Sequence, residues 1–484
     1  MKYAIVIPFV LAASSVYGQL TVGKIDDLSF PSIDYPSLTQ HFSIQPAVRV
    51  YEYKLADGIE KGAEAYPVRV DTYHRIRFNP DFAAQYDTSL FHRSAAGISA
   101  EVLYRDKFYT RAALSVGWST REGLNQVHPA FTPQHDRNEF IYVSLRSRIC
   151  YTPNRFLHVA GGTDNQFFGE GYRSLIQSDQ ASPNPFALMR ATVWRLEYGL
   201  LYQLFHENAG GTRRFKFGAT HYLSYNITKK WNVGVFETVF FQPKDGPFNR
   251  AVEVEYLNPL VFFRPQEYSL GSSDNVLIAF QTSYTLRTHV LYGQLLLDEF
   301  VLKEIRGRSK WWANKYGVQI GIKGKPLHFP AYRIEANLMR PYTYAHINDG
   351  QNGGNQGRPL AHPLGSNFVE LLAQLETKLT GKVLLKPYAV FQLQGFDQDS
   401  VSMGGDIYQS YLTHPKEYGN TIGQGITQRN VRIGCELQYE WTQLNSLLYI
   451  DPQAAYSWGE HGDIFTPAIT LGWRSCLFQD RKQF

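Results

Sequence analysis

The feature that most constrains this chain is an alternation of period two that recurs along most of its length. Residues 431–441 show it most cleanly. Val431, Ile433, Cys435, Leu437, Tyr439 and Trp441 share one face, and Arg432, Gly434, Glu436, Gln438 and Glu440 share the other. Successive side chains of an extended strand point to opposite sides, so such a segment has one apolar and one wet face. Residues 214–225, 315–323 and 332–338 repeat the pattern, placing Lys216, Lys315, Arg333 and Glu335 on the wet face. Glu237 departs from it, falling on the apolar parity of residues 231–241.

The connections sort themselves as strictly as the strands. Short ones lie near 105–106, 152–154, Arg195, 228–230, Arg287, 324–329, Gly381 and 442–445. Long ones lie near 119–139, 163–185, 207–212, 243–274, 301–312, 342–367, 396–428 and 458–463, and the two kinds alternate. A soluble sandwich has no reason to segregate its loops. A membrane barrel with short periplasmic turns and long outer loops does, because its two ends face different compartments. The pattern predicts an all-β fold: a closed antiparallel transmembrane β-barrel of about 18 strands, its lumen lined by charges of both signs. Closure satisfies the strand edges that lipid could not.

Composition agrees. The 484 residues include 32 Tyr, 31 Phe and 8 Trp but only 3 Cys, while mean hydropathy is −0.31. Barrel strands give half their residues to lipid, which leaves average hydropathy unremarkable. After the N-terminus no apolar run is long enough for a membrane helix. The opening MKYAIVIPFVLAASSVYGQL has a basic start, an apolar stretch and small residues up to Gly18. It predicts a signal peptide over 1–18. Residues 19–70, punctuated by Pro, are expected to form a periplasmic lead-in, with the barrel over 71–484. The expected location is the outer membrane, in contact with its lipid. A net charge of +5, evenly spread, gives no case for a nucleic-acid partner.

Chemistry is expected in the loops. The stretch 161–186, GGTDNQFFGEGYRSLIQSDQASPNPF, is rich in turn formers yet carries Phe167, Phe168, Tyr172, Leu175 and Ile176. A loop this long with its own apolar content folds back on its scaffold or has a function. Residues 255–274 are apolar enough to fold inward. Residues 341–368 combine Tyr342, Tyr344 and His346 with Gly and Asn, then Arg358 and His362. Flat aromatic faces beside planar polar groups suit sugar rings, and the same residues suit loops that plug a barrel; the two roles are compatible. The candidate ligand-binding residues are therefore Tyr172, Arg173, Asp179, Tyr342, Tyr344, His346, Arg358 and His362.

Catalysis has little support. His206-Glu207-Asn208 lacks a second His at helical spacing, and no GxSxG elbow occurs. Asp164, Asp179, His206, His346 and His362 all fall in expected outer loops, where an Asp/His pair arises by chance among 14 His. Asp298-Glu299 and Asp349 are isolated carboxylates. No enzyme activity, metal or cofactor is expected.

The segments DNQFFGEGYRSLIQSDQASPNPF, NPLVFFRPQEYSLGSSDN, LYGQLLLDEF and RPYTYAH…RPLAHPLGSNF, running from about Gly161 to Phe368, resemble the capsule-assembly Wzi family. They resemble more closely its branch named for the gliding-motility protein RemB. That resemblance implies a non-enzymatic outer-membrane barrel whose partner is surface polysaccharide, for capsule or exopolysaccharide binding or assembly. The alternative it implies is an accessory barrel for surface adhesin or gliding-motility proteins. A substrate-specific porin is the further alternative. Capsule-binding members of the family carry an N-terminal helical plug, and residues 19–70 show no helical period.

Overall fold

The computed structural model describes Val48–Arg49 and residues 72–87, 90–104, 107–120, 134–135, 139–154, 156–209, 212–245, 248–249, 256, 274–299, 301–327, 329–398, 401–441, 446–460 and 462–475. The expected signal peptide over 1–18 and, apart from Val48–Arg49, the expected lead-in over 19–70 lie outside the described residues. So does most of the second long loop.

Eighteen antiparallel strands close into one barrel. The first nine are β1 (Thr72–Tyr86), β2 (Leu90–Tyr104), β3 (Phe108–Ser119), β4 (Glu139–Tyr151), β5 (Leu157–Asp164), β6 (Asn184–Val193), β7 (Leu196–Ala209), β8 (Thr212–Asn226) and β9 (Trp231–Phe241). The second nine are β10 (Asn275–Leu286), β11 (His289–Leu297), β12 (Tyr316–Gly324), β13 (Ala331–Met339), β14 (Phe368–Lys378), β15 (Val383–Phe396), β16 (Ile426–Trp441), β17 (Ser446–Gly459) and β18 (Ile464–Ser475). Each pairs with its neighbour in sequence. β1 meets β18 from Asp81↔Arg474 to Tyr86↔Ile469, which closes the ring.

The turns at one end are all short. Trp194-Arg195 and Arg287-Thr288 are two-residue hairpin turns whose first residues have φ of 57° and 53°. Positive φ there matches the right-handed twist of the flanking strands. At the other end lie the long connections, with one correction: 207–212 and 458–463 are not long loops. β7 and β8 stay paired to Ala209↔Thr212, through Glu207↔Arg214 and Asn208↔Arg213. The backbone pairing continues past the point where the apolar alternation stops, because ladder hydrogen bonds join main-chain groups whatever the side chains are.

The two faces separate as the alternation predicts. Outward residues such as Ile320 and Ile433 are 67% and 55% exposed, while the inward Gln319 and Glu436 are 1% exposed. Lys216, Lys315, Arg333 and Glu335 are all buried on the inner side. Within the lumen wall a device recurs four times. An inward glycine sits directly opposite an inward tyrosine on the next strand: Gly199↔Tyr222, Gly321↔Tyr292, Gly434↔Tyr388 and Gly472↔Tyr449. A Cβ added at any of these glycines would run into the tyrosine ring. The ring lies flat over the space the glycine vacates, which seals the wall without a void.

Glu237 does lie on the outward parity. Its cross-strand partner there is His221, and both are buried, at 2% and 4% exposure. Nearer the outer rim, Ala219, Val239, Phe241 and Val276 form an outward-facing cluster with Tyr256. Tyr256 is the described residue of the second long loop's body, and it packs on the outside of β8–β10, not in the lumen. Its hydroxyl donates to Asp274 Oδ2 at 2.7 Å, which holds it at the rim.

Candidate functional site: a loop plug and its outer cap

The connection between β5 and β6 (165–183) enters the lumen and is held by carboxylates and amides on the inner wall. Glu335 on β13 accepts the Tyr172 and Arg173 amide N–H groups at 2.6 and 3.0 Å, and the Tyr292 hydroxyl at 2.8 Å. Gln294 on β11 takes the Leu175 N–H at 2.8 Å and donates to the Phe168 carbonyl at 3.0 Å. Gln319 on β12 donates to the Arg173 carbonyl at 3.0 Å. Glu170 pairs with Lys323 at 2.7 Å, one residue from the periplasmic end of β12. The loop thus runs down nearly the whole of that strand. Between Gly169, Glu170 and the wall residues Gln281 and Gln294 the gap left is about 10 Å³, room for a single water. Val48–Arg49 adds a short antiparallel pairing with Phe167–Phe168.

The centre of the plug is Glu370 on β14. It receives the Arg173 guanidinium at 3.2 and 3.4 Å, His362 Nε2 at 3.0 Å, Gln392 at 2.8 Å and Asn337 at 3.3 Å. Arg173, His362 and Glu370 are fully buried. A buried carboxylate is tolerated when its lone pairs are occupied and its charge is matched, as here. The Leu364 N–H donates to His362 Nδ1 at 3.2 Å, which leaves Nε2 as the protonated nitrogen. Burial holds the imidazole below its ordinary pKa, against the pull of Glu370. His362 is therefore the neutral tautomer, donating to Glu370.

The loop 340–367 covers the plug. Ser178 N–H donates to the Leu360 carbonyl at 2.8 Å, its hydroxyl reaches the Ala361 carbonyl, and the Tyr344 hydroxyl reaches the Leu175 carbonyl. Tyr342 and Tyr344 have φ of 66° and 70°, which is unfavourable for bulky side chains. They are held by Tyr342 N–H to the Gly404 carbonyl at 3.1 Å and Tyr344 N–H to Asp298 Oδ2 at 2.8 Å. Asp298 also pairs with buried Lys315 at 3.2 Å. Burial pushes the Asp298 carboxyl up to about 6, against the opposing pull of Lys315.

This geometry revises the candidate ligand residues. Tyr172, Arg173, Asp179, Tyr342, Tyr344, His346 and His362 are all buried, from 0% to 8% exposed. In this packing none of those rings can stack on a sugar. Arg173 and His362 bond to Glu370 on the inner wall, while the Tyr342 and Tyr344 hydroxyls bond to the loop carbonyls of Ser402 and Leu175. Arg358, half-buried at the outer surface, is the member of the set whose side chain reaches solvent. The candidate catalytic and metal residues also have separate partners. Asp164 pairs with Arg148 at 3.2 Å, Asp349 with Arg214 at 3.3 Å, and Asp298 and Glu299 with Lys315. Among the described residues no group of three His, Cys, Asp or Glu side chains could hold a metal.

The exposed chemistry lies elsewhere, in the connection 298–315. Its short helix α1 (Leu302–Arg306) and the following turn expose Lys303, Arg306, Arg308 and Lys310, leading into Trp311-Trp312. The neighbouring loop 397–425 clips this segment down. Glu417 accepts the Trp312 and Trp311 indole N–H groups at 2.9 and 3.3 Å, and the Trp312 ring stacks on His414 at 4.3 Å. Gly419 and Asn420 donate their N–H groups to the carbonyls of Ser309 and Lys310 at 3.0 Å each. Lys416 and Tyr418 stand exposed beside them. Sequence reasoning marked 301–312 only as a long connection. The usable signal was four cations within eight residues, followed by paired tryptophans.

The fold and its sorted surface define the class: this is an outer-membrane β-barrel with loops folded into its lumen. Among solved structures it is similar to Wzi of Escherichia coli, described as an outer-membrane protein involved in group 1 capsule assembly and a carbohydrate-binding β-barrel. The TM-score is 0.52 at 12% identity, covering 82% of this chain and 83% of that one. OccAB4 of Acinetobacter baumannii matches with a TM-score of 0.45 at 7% identity, over 84% of this chain and 98% of that one. OprD of Pseudomonas aeruginosa matches at 0.43 and 8%, over 82% and 93%. No family model and no curated protein sequence matches the chain. At such identities the likeness to Wzi is one of fold.

Proposed function

We propose that this protein holds surface polysaccharide at its outer mouth by non-covalent contacts and performs no catalysis. The observation that carries this reading is the plug. A loop locked to Glu335, Glu370, Gln294 and Gln319 occupies the path a porin would keep open. The working surface is then the outer cap, where Lys303, Arg306, Arg308, Lys310 and Lys416 stand around Trp311 and Tyr418. Such a surface suits an acidic polymer: cations for uronate or phosphate groups, aromatic faces for sugar rings. Arg358, half-buried on its own loop, is retained as a second contact. The other seven residues of the original set act indirectly, by fixing the loops that present it. The likeness in fold to a carbohydrate-binding barrel supports the same reading.

The test is a deletion strain stained for retained surface polysaccharide and restored with Lys303→Ala, Arg306→Ala and Lys310→Ala together. Retention by the wild-type gene and loss with the triple variant supports the reading; full retention with the triple variant removes the cap from it. A second reading rests on Val301, Leu302, Ile305 and Leu412, exposed apolar residues of the same cap. They favour a protein partner, as expected for an accessory barrel of adhesin or gliding-motility assemblies in the RemB branch. Lost movement with normal polysaccharide retention in the deletion strain selects it.

A further inference from the structure

The bonds that hold the plug and its cap to the inner wall run from β4 round to β15. Arg148 on β4 donates to the Asn165 carbonyl at 3.2 Å, and Gln394 on β15 donates to the Leu364 carbonyl at 2.9 Å. Past β15 the wall changes. The outer halves of β16, β17 and β18 carry Asn430, Arg432, Gln453, Ser457 and Thr466 on the inward parity, all partly open to water. Ala455 lies opposite Arg432 and Thr466, and Ala468 lies opposite Gln453. Both alanines are inward and partly open as well, so two methyl groups make a hollow among longer polar side chains. The connections at this part of the outer rim, 460–463 and 87–89, are short.

The hollow has a floor. Toward the periplasm the same strands bring Arg93 to Asp81 at 2.7 Å and Arg474 to Glu436, with the Arg474 guanidinium 4.3 Å from the Tyr449 ring centre. The Tyr388 hydroxyl donates to Asp451 at 3.4 Å in the same layer. All of these residues are buried. A vestibule open outward and closed below by ion pairs results. Its chemistry differs from that of the cap. On the described outer halves of β16–β18, Arg432 is the one charged inward residue, and it donates to Gln453 Oε1 at 3.5 Å. Asn430 Nδ2 donates to Ser457 Oγ at 2.9 Å, which leaves Asn430 Oδ1 to accept and the Ser457 hydroxyl to donate. Amides and hydroxyls both give and accept hydrogen bonds, as sugar hydroxyls do, whereas a carboxylate only accepts and an ammonium only gives.

We infer that this vestibule is a subsite for a neutral stretch of the surface polysaccharide. Its sugar hydroxyls meet Asn430, Gln453, Ser457 and Thr466 over the hollow at Ala455 and Ala468, and the cations of the cap take the acidic groups. The inference rests on the polysaccharide reading above and adds to it a second place and a second chemistry.

The full-length protein in mild detergent is titrated with oligosaccharides released from the cells' own surface polysaccharide, split by anion exchange into neutral and acidic fractions. Wild type should bind both. Asn430→Ala and Gln453→Ala should each weaken the neutral fraction, by roughly fivefold, and leave the acidic fraction unchanged. Ala455→Trp should fill the hollow and remove neutral binding, while the triple cap variant should lose only the acidic fraction. On intact cells, Ala455→Cys should react with a membrane-impermeant maleimide above the wild-type background, and the neutral fraction should slow that reaction. The heat-modifiable shift of the folded barrel on a gel confirms folding, and the cysteine variant reports even if the tryptophan variant fails to fold. An unreactive Ala455→Cys, or neutral binding unchanged in both amide variants, overturns the inference. Binding of the acidic fraction alone overturns it and leaves the polysaccharide reading in place; binding of neither fraction removes both.

Discussion

At the scale of single residues, Glu370 organises the plug, and its partners set what its loss would do. Glu370→Ala leaves the Arg173 guanidinium buried without its counter-charge, a change that costs about 3–5 kcal/mol when a buried pair is broken. The expected result is loss of hydrogen-exchange protection in residues 166–180 while the barrel strands stay protected. Unchanged protection there would show that Gln294, Gln319 and Glu335 alone hold the loop. His362 adds a pH dependence with a definite sign. Its folded pKa lies below the ordinary value, so its contribution is present above about 6.5 and is lost as pH falls through the folded value. Protonating Nδ1 would also set two donors against each other, since the Leu364 N–H already points there. Acidification should therefore expose the Leu364 amide to exchange, after correction for intrinsic rates, and His362→Gln should flatten that response.

At the scale of elements, the glycine–tyrosine pairs couple the wall to the plug. Tyr292 lies over Gly321 and donates to Glu335, which in turn holds the Tyr172 and Arg173 amides. Gly321→Ala should displace the ring and destabilise by about 1–3 kcal/mol, the range for overpacking. The double variant Gly321→Ala with Tyr292→Ala should recover part of the steric loss but not the bond to Glu335. Thermal midpoints of the folded gel band measure both, and a harmless Gly321→Ala would mean the ring has room elsewhere. These pairs leave a trace in the sequence as glycines on the wet parity of strands. Which tyrosine meets which glycine depends on register, and that is set by the ring as a whole.

At the scale of the molecule, a barrel of 18 strands is wide enough to conduct, and only its contents decide whether it does. The loop-filled lumen predicts no large steady current for the intact protein in planar bilayers. Deleting residues 166–180 should open one. Steady conductance by the intact protein would instead favour the porin alternative.

What the sequence by itself determined is the barrel. The period of two, the sorting of short turns and the placing of Lys216, Arg333, Glu335 and Glu436 on the inner face follow from neighbours in the chain, because pleat and parity are local. Even the misfit at Glu237 was visible, although its partner His221 was not. The roles of the loop residues were decided only by tertiary structure. Tyr342, Arg173 and His362 have the composition of a sugar site, and a surface loop would have used them as one. In this fold Tyr342 meets Ser402 and Gln424 across 60 and 82 residues and Arg173 meets Glu370 across 197, while His362 joins the same Glu370 from eight residues away, and burial converts them from contacts into anchors. Long-range pairing of this kind leaves no periodicity to read, so the exposed cations of 303–310 could be recognised as the outer face only once the plug had claimed the rest.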